Sequence, residues 1–357
     1  MNIFEELAEL SRAAAIHGLE AETAALLARR WQPWLDESRS STLGNFIGLA
    51  RGTDPEPRPS VAAVAHMDAI GFMVTHVETG GFLRLSAVGG VNRRPLLGQE
   101  VEVLGRRRLV GVIGAKPPHL STPEERKKLV PIEDLSVDLG LPEAEVRETV
   151  RPGDGVLYRQ DVVALRNGRV AGRYLDDTAG LAVIGVALEE LRREPHSADF
   201  YAVGTVGEES GRLSGGATAA FELRPSLAVA VEVTFGTSPG GDDPTNSFAL
   251  GSGPAIGIGA NCHPRLVNLF KSAADELGLA TTLEVMPGGS GTDAWSMQTA
   301  RGGVPTAILS VPLRYMHTPV ETTSLDDIRS AGQLLAAVAR KVDWTLVEAL
   351  SCYDSTK

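Results

Sequence analysis

Two patterns of apolar residues alternate over most of this chain. Short, nearly continuous apolar runs at residues 60–65, 200–206 and 227–233 indicate buried strands of a parallel sheet. Between such runs, apolar residues recur at helical spacing, as at 179–191 and 264–277. Strands that alternate with helices predict an α/β fold with a mostly parallel sheet and helices on both faces.

Both ends of the chain have the helical pattern. Residues 3–30 predict two amphipathic helices, broken near His17 and Gly18, and His17 is expected on a helix surface. Residues 325–347 predict one long final helix.

Residues 72–163 follow a different pattern. Short runs at 72–77, 82–88, 100–104, 110–113 and 155–164 are separated by turns such as Gly80-Gly81. This spacing predicts a small all-β unit, a barrel or a sandwich. We therefore expect one α/β domain formed by residues 1–71 and 164–357, with an all-β domain inserted at 72–163.

Composition restricts the partners. The 357 residues carry a formal net charge of −11 at pH 7, which argues against a basic surface for nucleic acid. No apolar run approaches the ~20 residues that span a membrane. Cys262 and Cys352 are unpatterned, and the acidic first residues do not resemble a signal peptide. We expect a cytoplasmic protein without nucleic-acid or membrane partners.

Metal-competent side chains end or follow several of the predicted strands, or begin a helix. They are His66, Asp177, Glu208, Glu209, Glu232 and His317. Each one alone is most simply explained by a structural role. Ligands of open α/β sheets bind at the carboxyl ends of the strands, so together these side chains indicate one site.

Imidazole and carboxylate groups are ligands for zinc and similar divalent ions. Two such ions lie about 3.5–4 Å apart in two-metal sites. The inventory is sufficient for two ions, with one carboxylate left as general base. Asp68, two residues after His66, is expected to orient its imidazole.

Five motifs, in register along nearly the whole chain, resemble one family. They are His66-Met67-Asp68-Ala69-Ile70-Gly71, Leu175-Asp176-Asp177, Val206-Gly207-Glu208-Glu209-Ser210-Gly211, Gly291-Thr292-Asp293-Ala294 and Arg314-Tyr315-Met316-His317-Thr318-Pro319-Val320-Glu321. The family is that of the TET-type dinuclear-metal aminopeptidases, which include glutamyl and deblocking aminopeptidases and members once labelled endoglucanases.

The resemblance implies specific roles. His66 and Glu232 would hold one ion, and Glu209 and His317 the other. Asp177 would bridge the two ions, and Glu208 would be the general base. The ions would be zinc, with cobalt or manganese as alternatives, and the substrates peptides. The family also implies dimers and tetrahedral dodecamers, with the inserted domain making the dimer contact.

Two departures from the family pattern keep alternatives open. The family usually has Asp where this chain has Glu232, and the loop at residues 210–217 is longer. A related co-catalytic-metal deacylase or carboxypeptidase is the first alternative. A glycosidase using two carboxylates, or an inactive scaffold, ranks lower.

Overall fold

The structure, a computed structural model, describes residues 1–241 and 246–350, so Cys352 lies outside it. The strands, in chain order, are β1 (Glu37–Ser40), β2 (Phe46–Ala50), β3 (Ser60–His66), β4 (Gly71–Val77), β5 (Leu83–Val88), β6 (Glu100–Leu104), β7 (Arg108–Gly114), β8 (Ser136–Asp138), β9 (Gly155–Tyr158), β10 (Val163–Ala164), β11 (Arg169–Gly172), β12 (Asp199–Thr205), β13 (Leu227–Phe235), β14 (Ala255–Gly259), β15 (Thr282–Met286), β16 (Thr306–Leu313) and β17 (Glu321–Ser324). The α-helices are α1 (Ile3–Ala13), α2 (Ala21–Trp31), α3 (Glu143–Thr149), α4 (Leu175–Arg193), α5 (Ser214–Leu223), α6 (Pro264–Leu277), α7 (Asp293–Gln298), α8 (Leu325–Arg340) and α9 (Trp344–Leu350).

The main sheet has eight strands in the order β1-β2-β12-β3-β13-β16-β14-β15. Its centre, from β12 through β3 and β13 to β16, is parallel, because buried apolar runs joined by helices pair in that way. The pairs β1–β2, β2–β12 and β14–β16 are antiparallel. Helix α4 packs with α8, and α5 packs with α7 on the other side of the sheet. The predicted α/β class is confirmed.

The inserted unit is a closed barrel of antiparallel strands, in the order β4-β5-β8-β7-β6-β9. An inserted all-β unit is therefore confirmed, while the boundaries at 72 and 163 stay predictions. The run at 155–164 is not one strand, because β9 ends at Tyr158 and β10 pairs with β11 in a separate three-stranded sheet.

The N-terminal segment links the two cores. Ile16, between α1 and α2, is fully buried in the barrel core with Phe72 and Tyr158, whose rings meet edge to face. The amide of Ala69 donates to the carbonyl of Ala15 at 2.9 Å, just after the end of β3. This contact fixes the chain where it leaves the main sheet for the barrel.

Two expectations about the helical ends are wrong. The final helix is split, because α8 ends at Arg340 and Asp343 accepts a hydrogen bond from the amide of Leu346 to begin α9. His17 lies in the turn between α1 and α2 rather than on a helix. Within residues 1–241 and 246–350, no helix has both the length and the hydropathy needed to cross a bilayer.

Candidate metal centre

Four parallel strands bring polar side chains to one end of the main sheet, where the carboxyl ends of the strands lie. His66 ends β3 in register with Thr205, the last residue of β12, so the Glu208–Glu209 turn begins beside it. Glu232 on β13 lies in register with Ser310 on β16. The register of buried parallel strands therefore collects residues that are far apart in the chain.

His66 is held with one ring nitrogen directed into the site. Its Nδ1 lies 2.7 Å from the backbone carbonyl of Asp68 and must be the donor, because a carbonyl can only accept. Its Nε2 lies 3.1 Å from Oδ1 of Asp176. This arrangement leaves Nε2 as the ligand atom, as is usual for histidines that hold metals.

His317 enters from a loop after β16 and is held by the barrel. Its Nδ1 lies 3.0 Å from the carbonyl of Gly90, just after β5. A Cβ at position 90 would lie 2.7 Å from that nitrogen, so the close approach requires glycine. Nε2 of His317 lies 3.3 Å from both Asp176 Oδ2 and Glu209 Oε1. The inserted barrel thus helps to build the site.

Asp176, rather than Asp177, contacts both histidines. One of its carboxylate oxygens faces His66 and the other faces His317. Asp177 lies nearer to His66 and Glu232, and its Oδ1 accepts from the amide of Gly180 at 2.9 Å. The two residues precede the regular part of α4 with different backbone angles, so their side chains diverge. The expected bridging position of Asp177 does not match this geometry.

The carboxylate of Asp68 supports the glutamate pair instead of the imidazole. Its Oδ1 accepts from the amide of Glu208 at 3.1 Å and its Oδ2 from that of Glu209 at 3.0 Å. The same Oδ1 lies 4.0 Å from His66 Nδ1, beyond hydrogen-bond distance. The expectation for Asp68 is corrected: its backbone carbonyl orients the imidazole, and its carboxylate fixes the turn.

Glu321 is a supporting residue for which the sequence predicted no role. It is 1% exposed, and its two carboxylate oxygens accept from the amides of His317 at 2.8 Å and Asp176 at 3.0 Å. It therefore ties the His317 loop to the start of α4. Its place at the end of the motif at residues 314–321 did not distinguish this role.

The ionisable groups of the site shift one another's pKa values. Burial raises the pKa of Glu208 to about 8, and the carboxylates of Asp176 and Glu209 act in the same direction. Against the effect of burial, Asp176 and Glu209 raise the pKa of His317 to about 11. Burial also raises the pKa of Glu232 well above its ordinary value. Such shifts are typical of functional sites.

The donor set fits divalent ions. Two groups have ligand atoms within 4.8 Å of one another, namely His66, Asp176 and Glu209, and His66, Asp177 and Glu232. Asp177 Oδ2 and Glu232 Oε1 are buried without a hydrogen-bond partner. A buried carboxylate oxygen that no donor contacts is costly, and a bound cation would remove that cost.

A third group, formed by His17, Glu20 and Asp68, lies behind the glutamate turn. His17 Nδ1 lies 2.8 Å from Glu20 Oε1, and both oxygens of Asp68 already accept from backbone amides. Since each of these side chains already has a hydrogen-bond partner, the contacts account for the cluster without an ion.

A cavity of about 290 Å³ opens over the metal-competent residues. Glu208, Glu209, Glu232 and His317 line it, and Glu284, Met286 and Met316 form further parts of its wall. A ligand in this cavity would therefore contact the clustered carboxylates and histidines.

Comparison with known proteins assigns the family. The model of the M42 glutamyl aminopeptidase family matches residues 44–334. The chain belongs to this family. The lysyl aminopeptidase of Pyrococcus furiosus is 33% identical over 311 residues, covering 86% of this chain and 88% of the relative.

Solved structures of TET peptidases share the fold. The TET aminopeptidase of a marine sediment Thaumarchaeota archaeon superposes with a TM-score of 0.91, 29% identity and 98% coverage of both chains. The TET1 peptidase of Pyrococcus horikoshii can assemble into a tetrahedron or a large octahedral shell. Its superposition has a TM-score of 0.83 and 30% identity, and it covers 96% of this chain and 100% of the Pyrococcus horikoshii chain. The predicted resemblance is confirmed, and the chain is an M42 aminopeptidase, a hydrolase of peptide N-termini.

Proposed function

We propose that this M42 aminopeptidase uses two divalent ions and Glu208 as general base to remove N-terminal residues from peptides. The observation that supports this most directly is the position of Asp176, whose two oxygens face two different histidines. A single carboxylate between two sets of ligands is the arrangement that a two-metal site needs.

The ligands divide into two sets around Asp176. His66, Asp177 and Glu232 would hold one ion, and His317 and Glu209 the other. Zinc suits this mixture of imidazole and carboxylate, and cobalt and manganese accept the same ligands. When bound, such a pair of ions polarises a peptide carbonyl and lowers the pKa of water.

Glu208 is the proposed general base, which accepts the proton of the attacking water. Glu208 lines the cavity, and its backbone amide donates to the carboxylate of Asp68. A carboxylate placed in the cavity can accept the proton of the attacking water and pass it to the leaving amine. Its neighbour Glu209 instead contacts His317.

Metal analysis and chelation test this proposal. We expect about two divalent ions per chain, hydrolysis of aminoacyl-p-nitroanilides, loss of activity in chelator and recovery with zinc or cobalt. Activity in chelator with no metal bound would contradict the two-ion mechanism. Hydrolysis of N-acyl amino acids alone would favour the deacylase alternative.

We also propose that the chain self-associates into dimers that build a dodecamer. On the outer face of β7, Val110 and Val112 are 51% and 47% exposed and alternate with buried residues. The barrel thus presents apolar side chains that a second copy could cover. Light scattering that shows only monomers at micromolar concentration would contradict this, without affecting the site.

Family membership leaves the preferred N-terminal residue open. The family description refers to glutamyl residues, whereas the Pyrococcus furiosus relative is named for lysyl residues. The cytoplasmic location also stays a prediction from composition.

A further inference from the structure

One carboxylate in the cavity has no role in the proposed metal centre. Glu284, on β15, is 5% exposed, and its Oε1 accepts from the hydroxyl of Thr234 at 2.6 Å. Its Oε2 is buried without a hydrogen-bond partner. Within the described residues, Glu284 belongs to none of the clusters whose ligand atoms approach within 4.8 Å.

Glu284 lies beside the reacting groups at a definite spacing. It contacts Thr234, which follows the metal-competent Glu232 by two residues on β13. Two residues of a strand advance about 7 Å, so Thr234 and the carboxylate that it contacts lie about that far along the strand from the proposed ligand Glu232. Both glutamates line the same cavity.

The wall between them suits an aliphatic chain. Met286 follows Glu284 by two residues on β15, which places both side chains on one face of the strand, and Met316 lines the cavity as well. Methionine packs well against methylene groups. Lysine and arginine place their methylene groups on apolar surface and their charge at the far end.

The electrostatics favour a cation. Burial raises the pKa of Glu284, with the hydroxyls of Thr234 and Ser310 opposing this effect. An ammonium or guanidinium group would donate to Oε2 and place a positive charge beside the buried carboxylate. Because Oε1 is held by Thr234, Oε2 is the oxygen left to accept from a ligand in the cavity.

We propose that Glu284 ends the pocket for the N-terminal side chain and selects peptides that begin with lysine or arginine. This specificity role rests on the proposed function, since it places the substrate's amino end at the two ions. It assigns to Glu284 a contact with the substrate side chain and no part in the chemical step.

The test compares lysyl- and norleucyl-p-nitroanilide, since norleucine is lysine without its ammonium group. We expect the zinc-loaded wild type to prefer the lysyl substrate by about 10- to 100-fold in kcat/KM, the range for a hydrogen bond to a charged group. Glu284→Gln should remove most of that preference and leave norleucyl hydrolysis within about threefold. Glu276→Gln, a matched change at an exposed glutamate paired with Lys341, should change neither.

Two further measurements separate the outcomes. Free lysine should raise the melting temperature of the zinc-loaded wild type more than norleucine does, and Glu284→Gln should abolish the difference. Should that variant fold poorly, Thr234→Val removes the donor to Oε1 and should reduce the lysyl preference by a smaller factor. Equal rates on both substrates in the wild type, or equal losses on both in folded Glu284→Gln, would overturn the inference alone. No hydrolysis of any aminoacyl substrate with zinc would defeat the proposed function and this inference with it.

Discussion

Replacing Asp68 by asparagine tests how the catalytic turn is held. Asp68 is 1% exposed, and its two oxygens each accept one backbone amide, from Glu208 and from Glu209. Asparagine has nearly the same shape but only one acceptor oxygen. Its amide group would therefore face one of the two backbone N–H donors and leave it unpaired.

These two hydrogen bonds determine how much the free energy of unfolding should decrease in the variant. Two hydrogen bonds to a charged group contribute about 3–6 kcal/mol, and the neutral bond that asparagine keeps contributes about 1 kcal/mol. Asp68→Asn should therefore lower the free energy of unfolding by about 2–5 kcal/mol. At about 2–4 °C per kcal/mol for a large domain, the melting temperature should fall by roughly 4–20 °C.

The variant should also affect catalysis selectively. His66 keeps its bond to the backbone carbonyl at position 68, so its Nε2 should still bind metal. A shifted Glu208 should lower kcat by about 100-fold, since a misplacement of 1 Å can have that effect.

Thermal unfolding, metal analysis and leucyl-p-nitroanilide hydrolysis measure the three effects. Asp161→Asn, at an exposed aspartate paired with Arg12, is the matched control. An unchanged melting temperature with metal lost at His66 would refute this reasoning and restore the imidazole role for the Asp68 carboxylate.

The remaining predictions concern the proposed ligands and base. Glu208→Gln should keep both ions and lower kcat by about 10²–10⁴-fold, whereas Glu209→Gln should weaken metal binding; exchanged phenotypes would reverse the two roles. Asp176→Asn should weaken both ions in metal titrations and Asp177→Asn only one, so equal losses would argue against Asp176 as the shared ligand. Glu232→Asp should weaken one ion selectively and lower kcat because the shorter side chain withdraws the carboxylate, and Glu232→Gln should weaken it further. A fully loaded, fully active Glu232→Asp would show that the extra methylene is not matched to the metal.

The sequence could predict the location of the site because the signals are local. Near-continuous apolar runs identify parallel strands, and the carboxyl ends of such strands meet at one edge. His66, the Glu208–Glu209 pair and Glu232 therefore had to lie near one another once the strands were recognised. The alternating pattern in the inserted segment likewise predicted an all-β unit, because side chains of a barrel alternate between core and solvent.

What the sequence could not determine lies where the chain leaves regular structure. Asp176 and Asp177 are adjacent and chemically identical, and only the backbone angles before α4 decide which one faces both histidines. No periodicity governs side-chain direction at such a junction, so no pattern of residues could separate them.

The support of the site depended on contacts between distant segments. Asp68 reaches the amides of Glu208 and Glu209, and Gly90 in the barrel segment reaches His317. Nothing in the sequence distinguishes Glu284 from its neighbours on β15, and only the tertiary structure places it against Thr234 in the cavity. Hydrophobic periodicity reports burial along one element, whereas the partner of a buried polar group is decided by how the elements pack.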